Sequence, residues 1–118
     1  MRREERLRRR LDFTAAYRQG RTHGDQLLVI RIRPNQGEVT RFGFVAGKAV
    51  GGAVVRNRVK RRLREAARAL RTKPGLDIVI GARKQAAKAS FQRLRDALTG
   101  LLDRAGAIET APAEETNG

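Results

Sequence analysis

A chain of 118 residues with 40% hydrophobic side chains makes one domain with one modest core. Its 27 lysines and arginines against 12 acids leave a net charge of +15, which calls for a polyanionic partner because each cation set on a phosphate releases condensed counterions. The absence of cysteine excludes a disulfide framework, thiolate metal sites and cysteine nucleophiles.

Residues 1–11 hold six arginines and two glutamates, and no apolar run of signal length follows them. Residues 1–10 read as a basic arm that orders on its polyanionic partner, and the protein as cytoplasmic. Asp12 stands at an N-cap position before Phe13-Thr14-Ala15-Ala16-Tyr17-Arg18, and Gly20 closes this short helix. Arg21 to Gly24, with the lone His23, reads as a loop. Leu27 to Arg33 is a strand stopped by Pro34-Asn35-Gln36-Gly37, a turn that invites Val39 to Gly47 to fold back beside it.

Gly47, Gly51 and Gly52 interrupt regular structure before a long helical pattern that begins near Val54 and runs to Pro74-Gly75. At about 100° per residue, Val55, Val59, Leu63, Ala66, Ala67 and Leu70 gather on one side and face the sheet. Asn57, Lys60, Arg61, Arg64, Arg68 and Arg71 gather opposite, while Arg56 and Arg62 fall near the apolar boundary with stems suited to a sheet edge. From 56 to 73 nine cations meet only Glu65, so this face is self-repelling and a polyanion, nucleic acid first, would relieve it. An interfacial membrane helix would show Trp, Phe or Leu where this one has alanine and valine, so no membrane partner is expected. No small-molecule substrate is expected either.

Asp77 to Gly81 is a compact strand. A final helix from Ser90 to Arg104 aligns Phe91, Leu94, Leu98, Leu101 and Leu102. Residues 109–118, with three glutamates and no base, read as a disordered acidic tail beyond a domain of residues 1–108. Three strands and three helices in this order predict an α+β domain with helices packed on one sheet.

The run Gly52-Ala53-Val54-Val55-Arg56-Asn57-Arg58-Val59-Lys60-Arg61-Arg62-Leu63-Arg64-Glu65 resembles the arginine-asparagine-arginine signature of the bacterial ribonuclease P protein family. Arg41-Phe42-Gly43-Phe44-Val45 with Lys48, Arg6-Leu7 with Asp12-Phe13, Tyr17 and Gly20, and Asp77 to Arg83 are similar to its other segments, so the likeness spans about residues 6–105. The chain has Ala46-Gly47-Lys48-Ala49 where many relatives show a serine and two lysines, and Gly52 where asparagine is common. The resemblance implies a four-stranded sheet with a left-handed βαβ crossover, the fourth strand coming from the long middle stretch. It also implies a subunit that joins a catalytic RNA to free the 5′ end of precursor tRNA.

On that resemblance Arg56, Asn57, Arg58, Lys60, Arg61, Arg64 and Arg68, with Lys48 and Arg9, are the candidate RNA-binding residues. Phe13 and Tyr17, at i and i+4, share a face that either anchors the helix or lines a cleft for the 5′ leader; bases stack readily on such rings. No catalytic or metal-binding residue is assigned to the protein. His23 has no partner in sequence, and Asp25, Asp77, Asp96 and Asp103 are scattered, so cleavage is expected of the RNA subunit and magnesium bound mainly by it. The alternative is a ribosomal or other structural RNA-binding protein, and a helix-turn-helix DNA binder is disfavoured because a strand and glycines precede the basic helix.

Overall fold

A computed structural model describes residues 3–7 and 9–109. It consists of helix α1 (Arg10–Gln19), strands β1 (Arg21–Gly24), β2 (Leu28–Pro34) and β3 (Arg41–Ala46), helix α2 (Ala53–Arg68), strand β4 (Leu76–Ala82) and helix α3 (Phe91–Arg104). The four strands form one sheet in the order β1-β2-β4-β3. Strand β4 runs antiparallel to β2 and parallel to β3, so α2 is the crossover of a β3-α2-β4 unit.

Alternation along the strands assigns the two faces. Leu28, Ile30 and Ile32 of β2, Phe42 of β3 and Ile78 and Ile80 of β4 are buried with Val59, Leu63, Ala66 and Ala67 of α2 and Leu94, Leu98, Leu101 and Leu102 of α3. The other face carries a smaller cluster in which Leu7, Ala16 and Val79 are buried and Phe13 and Val45 pack against them. Among the described residues α1 is thus the only α-helix on that side, and it covers part of the sheet.

Asp77 is a fully buried charge on this second face. Register sets Arg33 of β2 and Arg41 of β3 directly beside it. Arg41 Nε and Nη2 donate to the two Asp77 oxygens at 2.9 and 2.8 Å, Asn35 Nδ2 donates at 2.9 Å, and Arg33 Nη2 lies 3.8 Å away. Arg41 also reaches Asp12 of α1 at 3.4 Å. The hydrogen bond to Asp77, aided by the charges of Asp77 and Asp12, raises the Arg41 pKa despite partial burial. Arg41 therefore stays protonated through the neutral range, and its side of the pair adds no pH dependence there.

Several expectations are corrected. Asp12 is not the N-cap: the helix starts at Arg10 behind Arg9, which makes no side-chain cap bond, and Asp12 in the first turn pairs with Arg41 instead. The fourth strand is β1, not a piece of the middle stretch, and His23 lies in it opposite Ile30. The Pro34–Gly37 turn makes no hairpin with β3. Gly75, at φ 75°, packs so closely on it that an added Cβ would lie 2.6 Å from the Gly37 carbonyl, and Asn35 N donates to the Gly75 carbonyl, so β4 takes the place beside β2.

Helix α2 stops at Arg68 because the next segment pairs with the chain after α3: Thr72 bridges Ile108, Lys73 N donates to Ala107 O and Glu109 N to Arg71 O. Leu70 and Arg71 therefore lie outside the helix. Phe91 is 38% exposed, so the apolar face of α3 starts at Leu94. Ser90 caps α3 by accepting from Arg93 N. Gly106, at φ 74°, ends it with paired bonds from Ala107 N to Leu102 O and Gly106 N to Asp103 O. Within the expected basic arm, Leu7 is buried and donates its N–H to Phe42 O, and Arg6 bridges Phe42. Of the expected tail, Glu109 is placed and 110–118 lie outside the described residues.

Asp77→Asn keeps the shape and removes the charge between two arginines. Breaking a buried ion pair costs about 3–5 kcal/mol when the orphaned charge stays buried. Arg33 and Arg41 retain 24% and 30% side-chain exposure and can rehydrate, so the loss should fall to about 2–3 kcal/mol by urea unfolding. A loss below about 1 kcal/mol, the range of an exposed pair, would show that the buried charge does not hold the strands.

Candidate nucleic-acid interface

The sequence of α2 divides its cations into two flanks. Alanines and valines at the buried positions bring the helix close to the sheet, so the arginines beside them project along its sides. On the flank toward β3, the Arg64 guanidinium lies over the half-buried Phe44 ring at 5.7 Å. Asn57, Arg61 and Arg68 point outward and are exposed, with Lys60 half-buried beside them. Arg56 is half-buried at the apolar boundary, as expected. Lys48 is exposed in the short turn Lys48–Val50 that leads into α2. Gly52 caps the helix without a side-chain acceptor, so the positive end of the dipole adds to this field.

The other flank has a structural use. Arg58 Nη2 donates to Ala87 O at 3.1 Å and Arg62 Nη1 to Ala89 O at 3.2 Å, tying α2 to the segment before α3. Arg58, a candidate RNA-binding residue on the resemblance, thus turns away from the outward cations, for at about 100° per residue it falls nearer Arg62 than Arg64. Arg68 is paired with Glu65 at 3.3 Å on the exposed surface, an ion pair worth little in water. Arg9 is exposed at the start of α1, apart from α2 in sequence and on a different element.

On the opposite face of the sheet, Tyr17, Val29, Arg31, Val45, Val79, Gly81 and Ala82 enclose a cleft of about 190 Å³. Three interactions hold α1 over it. Asp12 pairs with Arg41, Gln19 Oε1 accepts from Arg33 Nη1 at 2.8 Å, and the Phe13 ring rests where Gly43 lacks a Cβ, which would sit 2.5 Å from the ring. Of the two roles left open for the aromatic pair, Phe13 takes the anchor. Tyr17 is 45% exposed at the cleft, with the Arg31 guanidinium 4.5 Å from its ring centroid. Arg31 was missed on sequence; its signal was the alternation Val29, Arg31, Arg33 along β2, which puts cations on the face away from the main core.

Several carboxylates are engaged by structural partners. Asp77 is taken by Arg41 and Asn35, and Asp12 by Arg41. Asp25 accepts from Leu27 N and Leu28 N, both at 2.8 Å. Among the described residues no three His, Asp or Glu side chains stand in metal-binding range. Asn57, a single amide among arginines, does not suit a hard cation.

The family model described as Ribonuclease P matches residues 1–106. The ribonuclease P protein component of Symbiobacterium thermophilum is 44% identical over 112 residues, covering 92% of this chain and 97% of that protein. The solved ribonuclease P protein of Thermotoga maritima is 34% identical with a TM-score of 0.76, covering 90% of this chain and 99% of that one. The protein from Staphylococcus aureus superposes with a TM-score of 0.80 at 25% identity, covering 89% of this chain and 98% of that one.

The two flanks of α2 should separate in experiment. Arg61→Ala with Arg64→Ala should lower the slope of log affinity for RNA against log salt by about 0.7–0.9 for each phosphate no longer neutralised, while the melting temperature holds. Arg58→Ala should lower the melting temperature because the bond to Ala87 is removed. An unchanged salt slope in the double variant would return that flank to a solvated surface.

Proposed function

The chain belongs to the ribonuclease P protein family and serves tRNA processing as the protein component of that endoribonuclease, and from this premise we propose how its two surfaces divide the work. The outward face of α2, with Asn57, Lys60, Arg61 and Arg64 and with Lys48 at its foot, contacts the catalytic RNA. The cleft beside Tyr17 takes the single-stranded 5′ leader of precursor tRNA. The RNA carries the cleavage, with magnesium on its own phosphate oxygens, and the protein holds substrate and catalyst in register.

One observation carries this reading: the cationic helix face and the aromatic cleft lie back to back across a single strand. Phe44 of β3 lies under Arg64, and the next residue, Val45, lines the cleft. An RNA on α2 and a strand in the cleft would therefore be about one sheet thickness apart. Arg31 supports the leader assignment further, since a base arriving on Tyr17 meets a cation suited to its phosphate. We assign the complex to the cytoplasm; among the described residues no helix is long and apolar enough to cross a membrane.

Purified protein should cleave no precursor tRNA, and site-specific cleavage at low magnesium should appear when the cognate RNA is added. In the reconstituted complex Tyr17→Leu should weaken binding of leader-bearing tRNA about 5- to 150-fold, the value of one stacked base, and leave mature tRNA nearly untouched. Leucine keeps apolar volume, so an unchanged melting temperature separates the missing stack from a displaced helix. Equal weakening toward both RNAs would remove the leader from the cleft. RNA-free cleavage with contamination excluded would overturn the division of labour.

A further inference from the structure

A second cavity, of about 630 Å³, opens at the end of the sheet where β3 and β4 finish, outside both surfaces described above. Its floor is apolar: Leu27 before β2, Ala49 and Val50 before α2, and Ala87 after β4. Lys84, Lys88 and Arg93 stand around it, all exposed, and among the described residues no carboxylate lines it. The nearest acid in sequence, Asp25, is turned onto the backbone N–H groups of Leu27 and Leu28. Three cations around an apolar hollow repel one another and gain from an anion that brings a flat, apolar body with it.

The walls are fixed. Arg83 N donates to Leu27 O at 2.8 Å, Val50 N to Gly47 O at 3.1 Å, and Ala87 O accepts from Arg58. A ligand would meet a hollow already formed, which lowers the ordering cost of binding. The cavity also continues the α2 surface, for the segment holding Ala49 and Val50 leads into that helix and Arg58 on it braces the far wall. Its volume lies within the roughly 300–1,000 Å³ of sites that enclose small planar ligands.

We propose that this cavity receives one unpaired nucleotide of the catalytic RNA, with the base on the apolar floor and its phosphates among Lys84, Lys88 and Arg93. Gln26 and Gln85, also in the lining, offer amide donors and acceptors to the base edge. Phosphate binding alone needs no apolar floor, and an apolar peptide needs no triple cation. A nucleotide uses both. The inference rests on the RNA partnership of the preceding section and adds a point of attachment on the side of α2 that faces away from β3.

The test uses the full chain and the in vitro transcribed catalytic RNA, read by filter binding across salt and by base-specific chemical probing. Ala49→Phe fills the hollow without changing charge; it should weaken binding about 5- to 150-fold at an unchanged salt slope and release one unpaired base that wild-type protein protects. Lys84→Gln with Lys88→Gln should lower the slope by about 0.7–0.9 per phosphate released and free the same base. Melting temperatures verify folding, and should Ala49→Phe not fold, Gln85→Glu on the exposed turn sets a carboxylate at the rim and should weaken binding in its place. Wild-type affinity and protection in these variants would overturn the proposal, as would a lower slope with no base released, which marks surface phosphate binding alone. Failure of the wild-type chain to bind the RNA would instead sink the preceding assignment, and the Arg61 and Arg64 double variant controls for that interface.

Discussion

One buried carboxylate holds this architecture in register. Strand β4 must lie between an antiparallel and a parallel neighbour, and its side chains alternate between a large apolar face and a smaller one. A slip by one residue would turn Ile78 and Ile80 out of the main core. Asp77 opposes such a slip electrostatically, because the native register places its charge between Arg33 and Arg41. A one-residue slip would turn that carboxylate toward the apolar core, away from both arginines, at a cost larger than most single packing errors. Arg41 then passes the constraint to α1 through Asp12, so the charge that sets the strands also sets the helix above the cleft.

That placement has consequences for both surfaces. Among the described residues two helices cover one face of the sheet and one helix covers part of the other, so the small side chains of Val29, Val45 and Gly81 line an open cleft beside it. The parallel pair β3 and β4 requires a crossover, and the crossover is the basic helix itself. The main cationic element is therefore packed against the back of the strands whose other side forms the cleft. Lys48, the start of α2, the mouth of the cleft and the second cavity all fall at the end where β3 and β4 finish. The net charge of +15 favours a polyanion whatever its arrangement; packing of α2 on the sheet fixes the direction in which its outward cations face.

Much of this was legible in sequence because it depends on periodicity. The apolar faces of α2 and α3 and the core residues of β2 and β4 follow from spacing alone. The failures share a cause, which is that tertiary partners overrode local signals. Strand β1 is four polar or small residues held by pairing with β2, so Arg-Thr-His-Gly carried no strand pattern. The Pro34–Gly37 turn has hairpin chemistry, but Asn35 joins it to Gly75 and Asp77 rather than to a returning strand. Asp12 looked like a cap because its better partner, Arg41, lies 29 residues away. The resemblance supplied the fourth strand as a count, and its expected place in the middle stretch was wrong because β1 is held by pairing with β2 rather than by its own pattern.

If the two surfaces work together, the leader and the catalytic RNA must meet the protein at the same end of the sheet. Gly47 sits at that end, between the cleft strand and Lys48, and a Cβ added there meets nothing within 4 Å. The chain has no cysteine, so Gly47→Cys gives a unique attachment point for an iron chelate that generates hydroxyl radicals. In the reconstituted complex with precursor tRNA, such a probe should cut both the 5′ leader and a local region of the catalytic RNA. The same probe at Gly100→Cys on α3, where a Cβ is also unhindered, should cut neither. Cuts confined to the mature body of the tRNA, or a leader untouched from Gly47 while the complex is active, would show that the two RNAs do not converge there.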